Sequence, residues 1–177
     1  MIKLKFLKIK LFSAVKHQRG FTLLEAMLYL TIVSIILVSI SYLMLDVMAG
    51  QSKSYAGSEV NYNVRFITNL LTKDIRSAKE IVSLDSENLV LTQSDGSVTY
   101  NFDPTAKILT RQVASQTPEI INTNRVEVLG SFVDLSYLGR TKNIGVSLKI
   151  IYKNPGNLPD YNASTTAEFS TELRGRR

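Results

Sequence analysis

Apolar and polar positions divide the chain into three stretches with different patterns. Residues 21–45 are apolar almost throughout, and Glu25 is the only charged side chain among them. Between about Val60 and Val82, apolar residues recur every three or four positions, which is the spacing of a helix with one buried face. After Leu84, short apolar runs alternate with turn residues, and this pattern predicts β-strands.

The first stretch is long enough to cross a membrane. Its 25 residues would extend about 37 Å as a helix, and a hydrocarbon core is about 30 Å thick. Four hydroxyl residues interrupt the apolar run, but each can donate a hydrogen bond to a carbonyl of the preceding turn. They are Thr31, Ser34, Ser39 and Ser41.

The second stretch predicts a one-sided continuation of the same helix. Its apolar stripe comprises Val60, Val64, Ile67, Leu71, Ile75, Ala78 and Val82. The charged residues of this stretch fall off the stripe and are assigned to its solvated side: Lys53, Glu59, Arg65, Lys73 and Asp74. No proline precedes Pro104, so we expect one long helix to about Ser83, with a flexible joint near Gly50 and Gly57.

The third stretch predicts a small antiparallel sheet. Expected strands are 89–92, 98–102, 108–113, 125–129, 132–138, 144–152 and 167–173. Asp95-Gly96 is a strong hairpin signal, and Gly130 suggests a bulge between two of the strands. The apolar stripe of the helix would cover the sheet, so the predicted fold is α+β, with a long N-terminal helix packed on a small antiparallel β-sheet head.

The junction at Gly20 to Glu25 is the most informative short segment. A charge near the end of a membrane span costs about 2.5 to 3.5 kcal/mol, so such residues usually have a partner, and the span contains none. Cleavage after Gly20 would give Phe21 a free amine, cationic at neutral pH, about one helical turn from Glu25. Gly20 also supplies the small residue that a protease working at a membrane surface requires before the cut bond.

These residues resemble the class III signal of type IV prepilins and pseudopilins. The motif of that family is a basic leader ending in Gly and followed by Phe-Thr-Leu-(Leu/Ile)-Glu, and it is unbroken here from Gly20 to Glu25. The resemblance implies cleavage between Gly20 and Phe21 by a prepilin peptidase, methylation of the new Phe21 amine, and assembly into a filament. It also implies that Glu25 pairs with the Phe21 amine of a neighbouring subunit.

Charge is concentrated in the leader and indicates topology. The chain has a formal charge of +6, and residues 1–20 hold six basic and no acidic residues, so the remainder is balanced. The positive-inside rule therefore predicts a cytoplasmic N-terminus and an extracytoplasmic head. The expected segments are 1–20 as a removed leader, 21–47 as the transmembrane and assembly helix, 48–84 as its amphipathic continuation, and 85–177 as the β-rich head.

Shorter matches in the second half resemble minor pilins and pseudopilins of the J or W type. They are Asp74-Ile-Arg-Ser-Ala78, Leu89-Val-Leu-Thr, Val98-Thr-Tyr-Asn-Phe, Ile108-Leu-Thr-Arg111 and the Leu173-Arg174 ending. The chain lacks the cysteines with which many major pilins staple the head, and this departure points toward a minor pilin or pseudopilin.

Composition argues against catalysis and cofactor binding. His17 is the only histidine and lies in the predicted leader, and cysteine is absent, which excludes most triad and zinc mechanisms. The head carboxylates are scattered through turns and strand ends, so no catalytic residue, metal site or cofactor is predicted. Asp95 and Asp103 are assigned to turns in preference to a calcium loop.

Two hypotheses of function remain open. The first is a minor pilin or pseudopilin whose partners are the prepilin peptidase, other pilin subunits, an inner-membrane assembly platform, and lipid before assembly. The second is a membrane-tethered extracytoplasmic module that captures DNA or another ligand without joining a filament. The charge balance beyond the leader does not favour nucleic acid, and absence of cleavage at Gly20 would favour the second hypothesis.

Overall fold

A computed structural model describes residues 20–138 and 142–174. The chain divides into two units, of which the first ends at Met44 and the second begins at Leu45. Most of the predicted leader, with its six basic residues and His17, lies outside the described residues, as do Arg176 and Arg177 of the C-terminal tail.

The helix α1 extends from Leu23 to Ser77 and includes both Gly50 and Gly57. It is one helix that, by length and composition, could cross a membrane, and no residue of its most apolar window is buried. The four hydroxyl residues of its first part behave as predicted. Thr31, Ser34, Ser39 and Ser41 each donate to the carbonyl four residues earlier, at 2.7 to 2.9 Å. These hydroxyl groups therefore have hydrogen-bond partners within the helix and do not need water.

The helix ends earlier than the periodicity predicted. Residues Glu80–Leu84 form a strand, β1, and Val82 is 63% exposed instead of lying on the buried stripe. The prediction was wrong because the apolar spacing of four from Ala78 to Val82 does not by itself require a helix. The same spacing occurs here where the chain passes from the helix into β1. The Lys79 amide donates to the Thr92 carbonyl at 2.8 Å, which starts a β-ladder where β-branched residues are favoured.

Five strands form the first sheet in sequence order. They are β1, β2 (Asn88–Gln93), β3 (Gly96–Asp103), β4 (Ile108–Val113) and β5 (Glu119–Ile120), and all neighbours pair antiparallel. The predicted meander of three strands is confirmed as β2 to β4. Gly96 has a φ of 131°, which side-chain-bearing residues rarely adopt, and this explains the glycine at the hairpin turn.

Three strands form the second sheet: β6 (Val126–Asp134), β7 (Asn143–Tyr152) and β8 (Ser164–Glu172), in that order. A short 3₁₀ helix, Pro159–Tyr161, precedes β8. Both strand pairs are antiparallel and keep a constant register along nine residues. The predicted fold class, a long N-terminal helix followed by antiparallel β structure, is therefore confirmed, with two sheets where a single small one was expected.

Gly130 has a different role from the predicted bulge. The β6–β7 register passes through Gly130 without a shift, so the two expected strands are one. A Cβ atom at this position would lie 2.5 Å from the Phe102 ring and 2.7 Å from the Ser147 carbonyl oxygen. Glycine is required here because the aromatic ring of the first sheet packs directly on the β6 backbone.

The strand β6 also ends before the predicted Leu138. The Asp134 carboxylate accepts a hydrogen bond from the Ser136 amide at 2.8 Å, which turns the chain out of the strand. Local bonding by an aspartate thus terminates a run whose apolar residues continue to Leu138 in sequence.

The core of the second unit lies between α1 and the two sheets. The helix contributes Val60, Ile67, Leu71, Ile75 and the adjoining Ala78, all almost fully buried. Both sheets contribute large buried side chains, including Tyr100, Leu109, Leu148 and Ile150. The end of β8 is fastened to the helix, because the Arg174 amide donates to the Arg76 carbonyl at 3.1 Å.

Candidate processing and assembly site

The bond between Gly20 and Phe21 precedes the first residue of α1. Gly20 is exposed, and no side chain or distant backbone atom of residues 20–138 or 142–174 lies within 4 Å of the position that a Cβ would occupy. The backbone on both sides of this bond is outside the helical hydrogen-bond ladder, which begins at Leu23. A peptide bond outside regular secondary structure is the form of backbone that a protease can engage.

Thr22 caps the helix immediately after this bond. Its Oγ1 atom accepts a hydrogen bond from the Glu25 amide at 3.2 Å, and its carbonyl accepts one from the Ala26 amide at 3.1 Å. Thr22 and Glu25 have the spacing of a capping box, a signal in the sequence that our interpretation of the motif did not use. The helix is therefore capped at a defined residue, Thr22, and begins at Leu23, three positions after Gly20.

Phe21 is oriented by an aromatic contact within the first unit. Its ring stacks on that of Tyr29, with centroids 5.6 Å apart and planes inclined by 19°. Both side chains remain more than half exposed.

Glu25 lies in the first turn of α1 with its side chain exposed. Within residues 20–138 and 142–174, it takes part in no salt bridge. A carboxylate in the first turn is favoured by the helix dipole, whereas a cation at the same end is not. A cationic amine on Phe21 would therefore be stabilised by a further carboxylate from outside the first turn of its own helix.

The sequence was compared with known protein families, curated proteins and solved structures. A family described as the prokaryotic N-terminal methylation motif matches residues 15–41. The chain carries the pilin signature. This motif is the class III signal of type IV pilins and pseudopilins, and our recognition of it is confirmed. No curated protein and no solved structure matched the chain.

The signature makes the chain pilin-like or pseudopilin-like. It implies processing by a prepilin peptidase and assembly with other pilins, and the family to which it belongs is one of structural subunits. The apolar N-terminal helix indicates membrane anchoring, as in pilin-type proteins. Phe21 and Glu25 lie within the matched residues, as does Gly20.

Asp74 is a second carboxylate of α1, and our assignment of it to the solvated side was wrong. Its side chain is only 6% exposed and forms a salt bridge with Arg111, with 2.8 Å between Oδ2 and Nη2. The Tyr100 hydroxyl donates to the same oxygen at 2.6 Å, and Arg111 Nε donates to it at 2.8 Å. One buried oxygen of the pilin-like chain therefore accepts two hydrogen bonds, one from β3 and one from β4, and also forms the ion pair with Arg111.

Burial and hydrogen bonding shift the pKa values of Tyr100 and Arg111, the two partners of Asp74. Burial, followed by the hydrogen bond to Asp74, raises the pKa of Tyr100 far above its usual range. Burial alone would lower the pKa of Arg111, but its hydrogen bond to Asp74 raises it overall. Tyr100 stays protonated and Arg111 stays charged across all physiological pH, so the network is a permanent link between the helix and the first sheet.

A signal for this network was present in the sequence. Asp74 follows Leu71 by three residues and Ile67 by seven, which places it on the buried stripe. Asn63 occupies the stripe in the same way and is fully buried, and its side-chain oxygen accepts a hydrogen bond from the Thr123 amide. Two of the short motifs that suggested a J or W type, those containing Asp74 and Arg111, thus meet in one ion pair.

The turn assignments of the other carboxylates can be compared with the structure. Asp103 accepts hydrogen bonds from the Thr105 and Ala106 amides at 2.8 Å, as a turn residue does. Hydrogen bonds from Ser136 lower the pKa of Asp134.

Within the described part of the chain, no group of three or more acidic, histidine or cysteine residues could hold a metal ion.

Proposed function

We propose that this protein is a minor type IV pilin or pseudopilin, a structural subunit of a pilus or pseudopilus. The observation that carries the proposal is the methylation motif at residues 15–41, followed by an apolar helix whose first part is exposed. Such a helix must be surrounded by either lipid or other apolar helices. When the subunit leaves the membrane, the helices of neighbouring subunits in a filament replace the lipid.

Processing is the first step of the proposed function. A prepilin peptidase cuts between Gly20 and Phe21, and the new Phe21 amine is methylated. The support is local: the bond lies outside the helix, and Gly20 presents no side chain to the enzyme. Residues 1–20 are thereby removed and residues 21–47 become the transmembrane and assembly helix.

Pairing between subunits is the second step. The amine of processed Phe21 lies at the positive end of a helix, where a cation is disfavoured, and Glu25 is an exposed carboxylate without a salt bridge among the described residues. Bringing the amine of one subunit to Glu25 of its neighbour satisfies both groups in a water-poor filament interior. The pair would also fix the axial offset between the two subunits.

The remaining elements of the proposal concern topology and partners. The basic leader holds the N-terminus in the cytoplasm, and the β-rich part from about residue 85 lies outside the membrane. The partners are other pilin subunits and an inner-membrane assembly platform, together with lipid before assembly. The protein has no enzymatic role in this proposal, and a type II secretion system, a pilus or a DNA-uptake machine would each accommodate it.

Replacement of Gly20 tests the processing step directly. Gly20→Leu should leave the precursor uncut, because a branched side chain then precedes the bond. Gly50→Leu is a matched control, since Gly50 also has open space where a Cβ would lie. Intact-mass analysis of membrane-extracted protein should show the wild type and the control beginning at a methylated Phe21, and Gly20→Leu retaining residues 1–20.

Retention of residues 1–20 by the wild type, in cells with an active prepilin peptidase, would contradict this proposal. It would support the second hypothesis, a tethered extracytoplasmic module that does not join a filament.

A further inference from the structure

The two sheets of the second unit have four outer edges, and three of them are protected against further pairing. The strand β5 has only two residues, and β1 carries a register shift between Ile81 and Ser83. The outer edge of β6 is covered, because the Val128 and Phe132 amides donate to the carbonyls of Lys107 and Ser86 at 2.9 Å. Short strands, bulges and covering segments are the devices by which proteins block edge pairing.

The fourth edge, that of β8, shows none of these devices from Ser164 to Glu172, and it is closed only beyond them, where the Arg174 amide donates to the Arg76 carbonyl at 3.1 Å. Ser164–Glu172 is nine residues long and contains no proline or lysine, and it keeps a constant register with β7 throughout. A long, regular strand of this kind is the form of edge to which another extended chain can add.

The β7–β8 ladder shows which backbone groups face outward. The Tyr152 amide donates to the Ala163 carbonyl at 2.9 Å, and the Leu173 amide donates to the Lys142 carbonyl at 3.0 Å. Hydrogen-bonded pairs alternate along an antiparallel ladder, so the odd-numbered residues of β8 face β7 and the even-numbered residues face away. Among the described residues, no hydrogen bond reaches the outward backbone groups of Ser164, Thr166, Glu168, Ser170 and Glu172.

The side chains of β8 indicate the chemistry of a partner strand. Glu168 and Glu172 are both exposed and lie on the same face of the sheet, four residues apart. If two copies paired antiparallel about the centre of the strand, each Glu168 would lie directly opposite its copy. Like charges in that position destabilise a strand pair, whereas opposite charges stabilise it by about 0.2 to 1 kcal/mol.

We propose that β8 is a strand-addition site for an extended segment of another protein that carries lysine or arginine side chains. The outward amides and carbonyls supply the ladder, and the two glutamates select a basic strand over a second copy of this chain. The inference goes beyond the proposed function, because helix-mediated filament assembly and cleavage at Gly20 do not involve this edge.

A peptide derived from the strand itself is a suitable probe. It copies Ser164–Glu172 with Glu168→Lys and Glu172→Lys, and a second peptide keeps the native sequence. Binding to the full chain in a neutral detergent is followed by fluorescence anisotropy and amide hydrogen exchange. The basic peptide should bind about tenfold more tightly than the native-sequence peptide, and it should protect the amides of Thr166, Glu168 and Ser170.

Variants of the protein separate backbone addition from simple charge attraction. Ser170→Pro removes an outward amide without removing a bond to β7, and a proline on an edge strand is compatible with the sheet. It should weaken binding of the basic peptide by about tenfold or more, whereas Ser170→Ala should change it by less than about twofold. The double variant Glu168→Lys with Glu172→Lys should reverse the preference and bind the native-sequence peptide more tightly.

Equal affinity for the two peptides, or no binding of either, would overturn the proposal. So would unchanged binding by Ser170→Pro with wild-type circular dichroism. If the proline variant does not fold, the double variant Glu168→Lys with Glu172→Lys decides. The proposal is then refuted if this variant still binds the basic peptide more tightly than the native-sequence peptide. Loss of cleavage at Gly20 would leave all of these outcomes unaffected, so the two proposals fail separately.

Discussion

Glu25 and Asp74 are two carboxylates of one helix, and they differ in where their partners are found. Asp74 lies in the second unit, where folding brings Arg111 and Tyr100 to the same oxygen. Glu25 lies in the first unit, exposed in an apolar segment, with no salt bridge among the described residues. The two positions have the same kind of side chain in the same kind of backbone.

The difference shows that a carboxylate in a low-dielectric position can be satisfied at two stages. For Asp74 the stage is folding, since its partners come from β3 and β4 of the same chain. For Glu25, in our proposal, it is assembly after cleavage, since the amine it requires does not exist in the precursor. We therefore expect loss of the Asp74 carboxylate to lower stability and, if our proposal holds, loss of the Glu25 carboxylate to lower incorporation into filaments.

The largest expected effect is on stability, through Asp74. Asp74→Ala should destabilise the second unit by about 3 kcal/mol, because the Tyr100 hydroxyl loses its acceptor and Arg111, whose side chain is 24% exposed, is left partly buried without its counterion. Thermal unfolding of the full chain in detergent, followed by the β signal in circular dichroism, measures the loss.

A double variant provides the control for this experiment. Asp74→Leu with Arg111→Met removes both charges and should recover most of the lost stability, because buried ion pairs are often replaceable by apolar residues. If Asp74→Ala unfolds within about 1 kcal/mol of the wild type, the carboxylate is not buried in solution and the contrast with Glu25 disappears.

The second effect is on incorporation, through Glu25. Glu25→Ala should leave the protein cleaved, inserted and folded, yet several-fold depleted in sheared filaments at equal membrane levels, because the Phe21 amine of a neighbour loses its partner. A minor subunit at an initiating position has no earlier subunit to pair with, which limits the loss.

Asp46→Ala is the matched control, since Asp46 is an acidic residue of the same helix at the other end of the apolar run. Equal incorporation of Glu25→Ala and wild type would remove the pairing argument and leave Glu25 as a solvated residue at the membrane interface.

The smallest effect is a pH dependence that only the Asp74 network should show. Burial and Asp74 raise the pKa of Tyr100, so the folded protein keeps this proton at a pH where the unfolded chain, with a pKa of about 10, releases it. The resulting stability is present below about pH 10 and is lost as the pH rises further.

Comparison with Tyr100→Phe isolates this titration. At neutral pH the variant should lose about 1 kcal/mol, the typical contribution of one hydrogen bond. Between pH 9 and 11 its unfolding temperature should fall less steeply than that of the wild type. Parallel pH profiles for the two proteins would show that Tyr100 ionises freely in the folded state.

Local patterns were sufficient for the parts of the fold that depend on neighbours in sequence. The methylation motif, the long N-terminal helix and the β2–β4 meander each follow from short-range periodicity or turn chemistry, although the helix ends earlier than its periodicity predicts. The processing residues Gly20, Phe21 and Glu25 could be named for the same reason, although their roles remain predictions.

The errors concern positions whose environment is created by distant residues. Asp74 was assigned to solvent because its partner Arg111 is 37 residues away. Gly130 was given a bulge because the Phe102 ring that excludes a side chain there belongs to another sheet. Attention to polar residues on the apolar stripe would have identified Asp74 and Asn63 as buried. No local pattern predicts the contact at Gly130.

The hydrogen bond from the Arg174 amide to the Arg76 carbonyl has a consequence for the timing of folding. The helix ends about 100 residues before the segment that fastens it, and at about 5 to 20 residues per second the ribosome needs roughly 5 to 20 s to make that distance. During this interval the stripe from Val60 to Ile75 has no β6–β8 sheet to cover it. A nascent chain with an uncovered apolar face is a substrate for chaperones and proteases, so the last strand to be synthesised determines how long the protein is exposed to them.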